Sequence, residues 1–156
     1  MNKVNGDLNI IDEGSYNVIN GNQNAINEGS YNGVLGNANY VEGSVNIMKG
    51  NGNELQGNLN LVGGNGNKVG GNGNGVGGNC NNVVGSVNGV KGNCNHINGN
   101  SNRVEGDANA LQGSQNNLNG HVNVVVGNNN GVDGNGNAVV GSYNSAHGNE
   151  NSIYGY

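Results

Sequence analysis

The chain has 156 residues, 33 of them glycine, with no proline, phenylalanine or tryptophan, and a formal net charge of -5 at pH 7. At 32% hydrophobic and 4% aromatic residues, it cannot build an ordinary core of large side chains, and its length fits one domain. Its few basic residues, Lys3, Lys49, Lys68, Lys91 and Arg103, make no basic patch, which excludes nucleic-acid binding by the usual electrostatic route.

No apolar run is long enough to cross a membrane, and the N-terminus does not have the pattern of a signal peptide. Two cysteines are too few for a disulfide framework. Composition alone would suit a disordered or prion-like tract, but the order of the residues argues otherwise.

From Gly6 onward the chain is written in heptads. The unit is Gly-[Asn/Ser/Asp]-x-Asn-x-apolar-x, and its copies starting at Gly6 through Gly148 number 21. Drift would not keep an apolar residue at one phase of seven through that many copies. A coiled coil is excluded, because it needs two apolar positions per heptad and no regular glycine, and each interior glycine costs a helix about 1 kcal/mol relative to alanine.

In chain order, Gly6–Asn20 and Gly21–Leu35 form two coils of fifteen residues, lengthened by Glu13 and Glu28, and every coil from Gly36 on has fourteen. The two extra residues fall at one corner of successive coils, which supports two heptads per coil. Each heptad predicts one short strand, Asn-x-apolar-x, and one corner, Gly-[Asn/Ser/Asp]-x. Side chains alternate across a strand, so the Asn and the apolar residue point inward and the residues after each point outward. Glycine supplies positive φ at the corner, and the short polar residue supports the turn.

The predicted fold is therefore all-β: a two-sided parallel β-solenoid forming one domain over residues 1–156, with about ten and a half coils from Gly6 to Tyr154. The core is one Val, Ile or Leu per strand: Val34, Val41, Leu55, Val62, Val69, Val76, Val83, Val90, Ile97, Val104 and their equivalents. The inward amides Asn32, Asn39, Asn46, Asn53, Asn60, Asn67, Asn74, Asn81, Asn88 and Asn95 are expected to form ladders. A buried amide without partners costs roughly 1–3 kcal/mol, and a stacked column supplies the partners.

Read as x-x-Asn-x-Val-x-Gly, on Asn32-Gly-Val-Leu-Gly, Asn67-Lys-Val-Gly-Gly, Asn102-Arg-Val-Glu-Gly and their sisters, the repeat resembles the ice-recrystallisation-inhibition domain of grasses. That resemblance spans Gly6 to Gly155. It implies a left-handed β-roll with inward valines, internal Asn ladders and an ice-binding role. The head repeats of trimeric bacterial adhesins are a more distant likeness.

Little in the sequence points to catalysis. His96, His121 and His147 fall at three different phases, and no nucleophile-base order, phosphate loop or paired carboxylates stand out; no enzyme activity and no cofactor are expected. Tight calcium sites are not expected either, because amides occupy the polar phase. Glu13, Glu28 and Glu42 read as a column of like charges at one corner, where a cation could sit; the expectation is a solvated corner without metal. Cys80 and Cys94 are stacked neighbours, free thiols or a disulfide on oxidation, and a Cys2His zinc site with His96 would lack a fourth ligand. Glu54–Lys68 and Lys91–Glu105 are expected to pair on the surface.

Two apolar strips should face outward. Tyr16, Val18, Tyr31, Val45, Ile47, Leu59 and Leu61 line one side, and Val122, Val124, Val126, Ala138 and Val140 the other. A contiguous exposed strip marks an interaction surface. Two functions fit: a self-associating structural or surface element, such as a fibre, coat or adhesin stalk, or an ice-binding protein. The first is the expectation, since the ryegrass-type ice faces are rich in Thr and this chain has none. Partners would be a second copy or ice, and the location extracellular or cell-surface.

Overall fold

A computed structural model describes Met1–Gly155. It contains 22 strands, all but one of three residues, and no helix. Odd-numbered strands, from β1 (Lys3–Asn5) to β21 (Ser145–His147), make one 11-stranded parallel sheet, here sheet A. Even-numbered strands, from β2 (Ile10–Ile11) to β22 (Ser152–Tyr154), make a second of 11, sheet B. The chain alternates between the two, so each coil adds one strand to each sheet. At about 4.8 Å per strand the rod is about 50 Å long. The repeat begins half a coil earlier than the glycine pattern suggested, because Lys3–Asn5 already pairs with Val18–Asn20.

Register follows the insertions. Val4 stands beside Ile19 and Ile19 beside Val34, fifteen apart, whereas Val34 stands beside Met48, fourteen apart. The ten apolar positions expected inside are all buried, and the core continues from Ile19 to Ala146. It is one side chain deep from each sheet, so little apolar area is available per residue. The amides provide much of the rest of the cohesion.

Each interior ladder Asn is buried and its amide is engaged on both oxygen and nitrogen. Asn81 is typical. Its Nδ2 donates to Asn67 Oδ1 (3.1 Å) and to the Gly92 carbonyl (2.7 Å). Its Oδ1 accepts the backbone N–H of Asn95 (3.0 Å) and Asn95 Nδ2 (3.0 Å). One ladder side chain thus ties three consecutive coils and fixes the corner. This is why Asn, with an acceptor and two donors at short reach, holds the position.

Two further ladders run along the corners, and these the sequence reading did not anticipate. The short polar residue after each glycine accepts the backbone N–H of its counterpart one coil earlier, as in Asn65 N–H to Asn79 Oδ1 (2.9 Å) and Ser30 N–H to Ser44 Oγ (3.1 Å). The inner columns run the opposite way, their backbone donors lying one coil later than their acceptors.

The corner also contains a second left-handed residue. The heptad glycine has φ between 98° and 159° in the described repeats from Gly6 to Gly148, and the residue two later lies near 60° whether or not it is glycine. Tyr16, Val45, Val87, Cys80 and Val122 all occupy this conformation. A β-branched residue is a genuine outlier there. At Gly85 (φ +124°) the requirement for glycine is absolute for a second reason: a Cβ would fall on the carbonyl oxygen of Gly99 in the next coil.

Candidate functional site

With the core and ladders internally satisfied, function rests on the outward side chains. The first strip is where the sequence placed it. Tyr16, Tyr31, Val45 and Leu59 rise along one corner in the left-handed position, and Val18, Ile47 and Leu61 stand beside them on sheet A. Every one of the seven is at least 48% exposed, and Leu35, at 49%, extends the strip across the face. The Tyr16 and Tyr31 rings stack with centroids 5.0 Å apart and planes within 6°, so the backbone repeat is carried into an ordered aromatic step.

The second strip lies on sheet B toward the other end. Val122 occupies a corner, while Val124, Val126, Ala138 and Val140 form a compact ridge on β18 (Val124–Val126) and β20 (Ala138–Val140), in direct register. The four valines are 38% to 64% exposed and Ala138 is half-buried. Tyr154, 77% exposed, continues the Val126–Val140 column.

Beside the first strip is a feature that the repeat pattern hid. Gly63, Gly75 and Gly77 sit together on sheet A at outward positions, with Gly89 the register neighbour of Gly75, leaving a shallow trough of about 470 Å³ bounded by Leu35, Ile47, Leu61 and the lysines Lys49 and Lys91. A Cβ at any of these four glycines would meet nothing within 4 Å, and none has positive φ. The fold does not require them, unlike the corner glycines. The available signal was glycine outside its heptad phase.

The charges divide between the faces. Sheet A carries Lys3, Lys49, Lys91 and Arg103 against Glu105 and Asp133, an excess of two positive charges. The outward positions of the sheet B side carry Asp12, Glu42 and Glu54 against Lys68, an excess of two negative. Glu54 and Lys68 pair as expected (3.0 Å). Lys91 and Glu105 are register neighbours, but Glu105 turns instead to Arg103 on its own strand, two residues away and within closer reach.

The glutamate column is corrected by the register. Glu42 stands beside Asn27, not Glu28. Glu28 is the bulged extra residue (φ 47°), and its carbonyl accepts Gly43 N–H (2.9 Å) as that of Glu13 accepts Gly29 N–H (3.2 Å). The third coil lacks the insertion and closes one residue sooner, so Glu42 leaves the column and accepts Tyr40 Oη–H (3.2 Å) and Gln56 Nε2 (3.3 Å). Among the described residues no three His, Cys, Asp or Glu side chains converge on a metal-binding geometry. Cys80 and Cys94 are free and exposed, stacked in one corner column.

Two histidine contacts appear only in three dimensions. His121 replaces the corner amide: its Nδ1 lies 3.1 Å from the backbone N–H of Asp107 and 3.2 Å from Asp107 Oδ2. The backbone N–H of Asn93, donating to the Asp107 carboxylate, and then Asn93 Nδ2, lower the carboxyl below its ordinary value, with a smaller contribution from His121. Ser145 Oγ and His147 Nε2, both exposed on the outer face of β21, are 3.1 Å apart. Asp133, the register neighbour of His147, accepts Asn119 Nδ2 (3.0 Å).

No protein-family model and no curated protein matches this chain. Among solved structures, the polySia-specific acetyltransferase NeuO is similar at 17% identity, covering 96% of this chain and 82% of that one, with a TM-score of 0.32. A likeness at that score carries no argument about activity. What stands is the fold itself, a parallel β-solenoid of 11 strands per sheet with buried asparagine ladders.

Proposed function

We propose that this protein is a non-enzymatic scaffold, a rigid rod that associates with further copies of itself through the apolar strip on the sheet A side. A structural or surface role as a fibre, coat or adhesin element follows from that reading. The observation that carries it is the contiguous exposure of Tyr16, Val18, Tyr31, Val45, Ile47, Leu59 and Leu61 across successive coils. Isolated surface valines need no explanation, whereas a strip of this extent with aromatic anchors resembles the centre of a protein interface. Covering it at about 25 cal/mol per Å² supplies several kcal/mol before the costs of association.

The geometry favours this over ice binding for a reason of its own. The regular outward polar arrays are the corner Asn and Ser columns, and their side-chain oxygens already accept backbone N–H groups of the preceding coil. The flat faces present glycine, charge and large aliphatics irregularly. Neither offers a repeated lattice of free small polar groups.

The experiment is sedimentation of the parent and of Ile47→Asp/Leu61→Asp over a wide concentration range, with an ice-recrystallisation assay on the same samples. An associating parent and a folded monomeric variant support the proposal. A parent that stays monomeric at high concentration overturns it, and ice activity lost in the variant would assign the strip to ice.

A further inference from the structure

We infer that the partner surface of the sheet A side is the valine ridge of sheet B on a second copy, so that association is head-on-back and open-ended, not a closed pair of identical faces. This deepens the reading above and rests on it. Three observations converge.

The first is shape. Sheet A has a trough where Gly63, Gly75 and Gly77, with Gly89 beside them, lack side chains that the backbone would accept without contact. Glycine at a strand position weakens the strand and commonly marks a place where another surface approaches closely. Sheet B has the matching projection, Val124, Val126 and Val140 beside Ala138, about two strands wide. A ridge two strands wide enters a trough spanning three strands, β9 (Leu61–Gly63) to β13 (Gly89–Lys91); two troughs facing each other would leave a void.

The second is charge. The trough is flanked by Lys49 and Lys91, whereas the sheet B strands around the ridge, from His96–Asn98 to Ser152–Tyr154, carry no Asp, Glu, Lys or Arg. Sheet A against this part of sheet B brings no like charges together; sheet A against sheet A places the lysines beside one another, which is costly across an interface.

The third is area. Seating the ridge in the trough overlaps about seven coils, roughly 34 Å of face at about 4.8 Å per strand. With a width of about 15 Å, this buries about 1,000 Å² in total, at the low end of specific interfaces. A contact between two different patches on one molecule does not close on itself, so each pair retains one free trough and one free ridge. Weak single contacts thereby repeat along an assembly.

The test uses two variants of the whole chain. Gly75→Leu/Gly77→Leu fills the trough at positions where added atoms meet no neighbour within 4 Å. Val124→Asp/Val140→Asp breaks the ridge, with Val124→Ser/Val140→Ser as the milder alternative should the aspartates unfold the strand. Far-UV circular dichroism checks folding, and sedimentation reads mass.

The expected result is that each variant alone is a monomer at concentrations where the parent grows into larger species, and that mixing them restores a one-to-one dimer that grows no further.

If the ridge variant still associates as the parent does, the strip pairs with its own kind. This inference then fails while the proposed function stands. A trough variant that associates unchanged likewise overturns the inference. A monomeric parent overturns both.

Discussion

Replacing Asn81 by alanine tests the structural logic of the rod at one atom group. The side chain makes four hydrogen bonds, two through Nδ2 to Asn67 Oδ1 and Gly92 O and two through Oδ1 from Asn95 N–H and Nδ2. Its own backbone N–H keeps its bond to Asn67 Oδ1. Alanine therefore strands two backbone groups beside the core, the Asn95 N–H and the Gly92 carbonyl, in a column where the neighbouring amides are buried. At roughly 1–3 kcal/mol for each unsatisfied buried group the loss is about 2–6 kcal/mol. For a chain of this size, at about 2–4 °C per kcal/mol, that lowers the melting temperature by about 4–24 °C.

The control is Asn82→Ala, one residue on and facing outward. Asn82 is half-buried and its Oδ1 finds no partner, so removing it should be neutral to slightly stabilising. Urea unfolding followed by circular dichroism measures both, with the slope checked because long repeat arrays can lose two-state behaviour. Hydrogen exchange at the Asn95 amide should accelerate in Asn81→Ala alone. Equal shifts for the two variants would refute the ladder as the source of stability.

Other outcomes follow from the same geometry. Gly85→Ala should destabilise by about 3 kcal/mol or more, since its Cβ lands on Gly99 O at positive φ, whereas Gly75→Ala should stabilise by about 0.5–1 kcal/mol; thermal melts compare them. Val87, 64% exposed with φ 61°, is strained for a β-branched residue, so Val87→Asn should raise stability by about 1 kcal/mol in the same melts. Asp107 has a carboxyl lowered in the folded state chiefly by the Asn93 N–H, so its contribution is present above the ordinary carboxylate value near 4 and is lost as pH falls through the lower folded value. Asp107→Asn should flatten the acid limb of the stability–pH profile, read by melts at stepped pH, and an unchanged limb would show that the group contributes nothing.

The heptad by itself determined the architecture. A glycine, an asparagine and an apolar residue at fixed phases leave one periodic solution, and Val34, Asn81 and Ile97 are buried where that pattern put them. The same phases exposed the two strips, because alternation across a strand makes outwardness a local property. Three things required the tertiary structure. Glu42 left the glutamate column because a one-residue bulge at Glu28 shifts which residues stand side by side across coils. Glu105 chose Arg103 over Lys91 because side-chain reach, not register, selects an ion pair. The trough of Gly63, Gly75 and Gly77 emerged only when coils were stacked, since residues fourteen positions apart, such as Gly63 and Gly77, become neighbours there. A repeat specifies the contacts within and between identical units; its irregular outward residues acquire shape and charge only when stacking places distant ones on a common face.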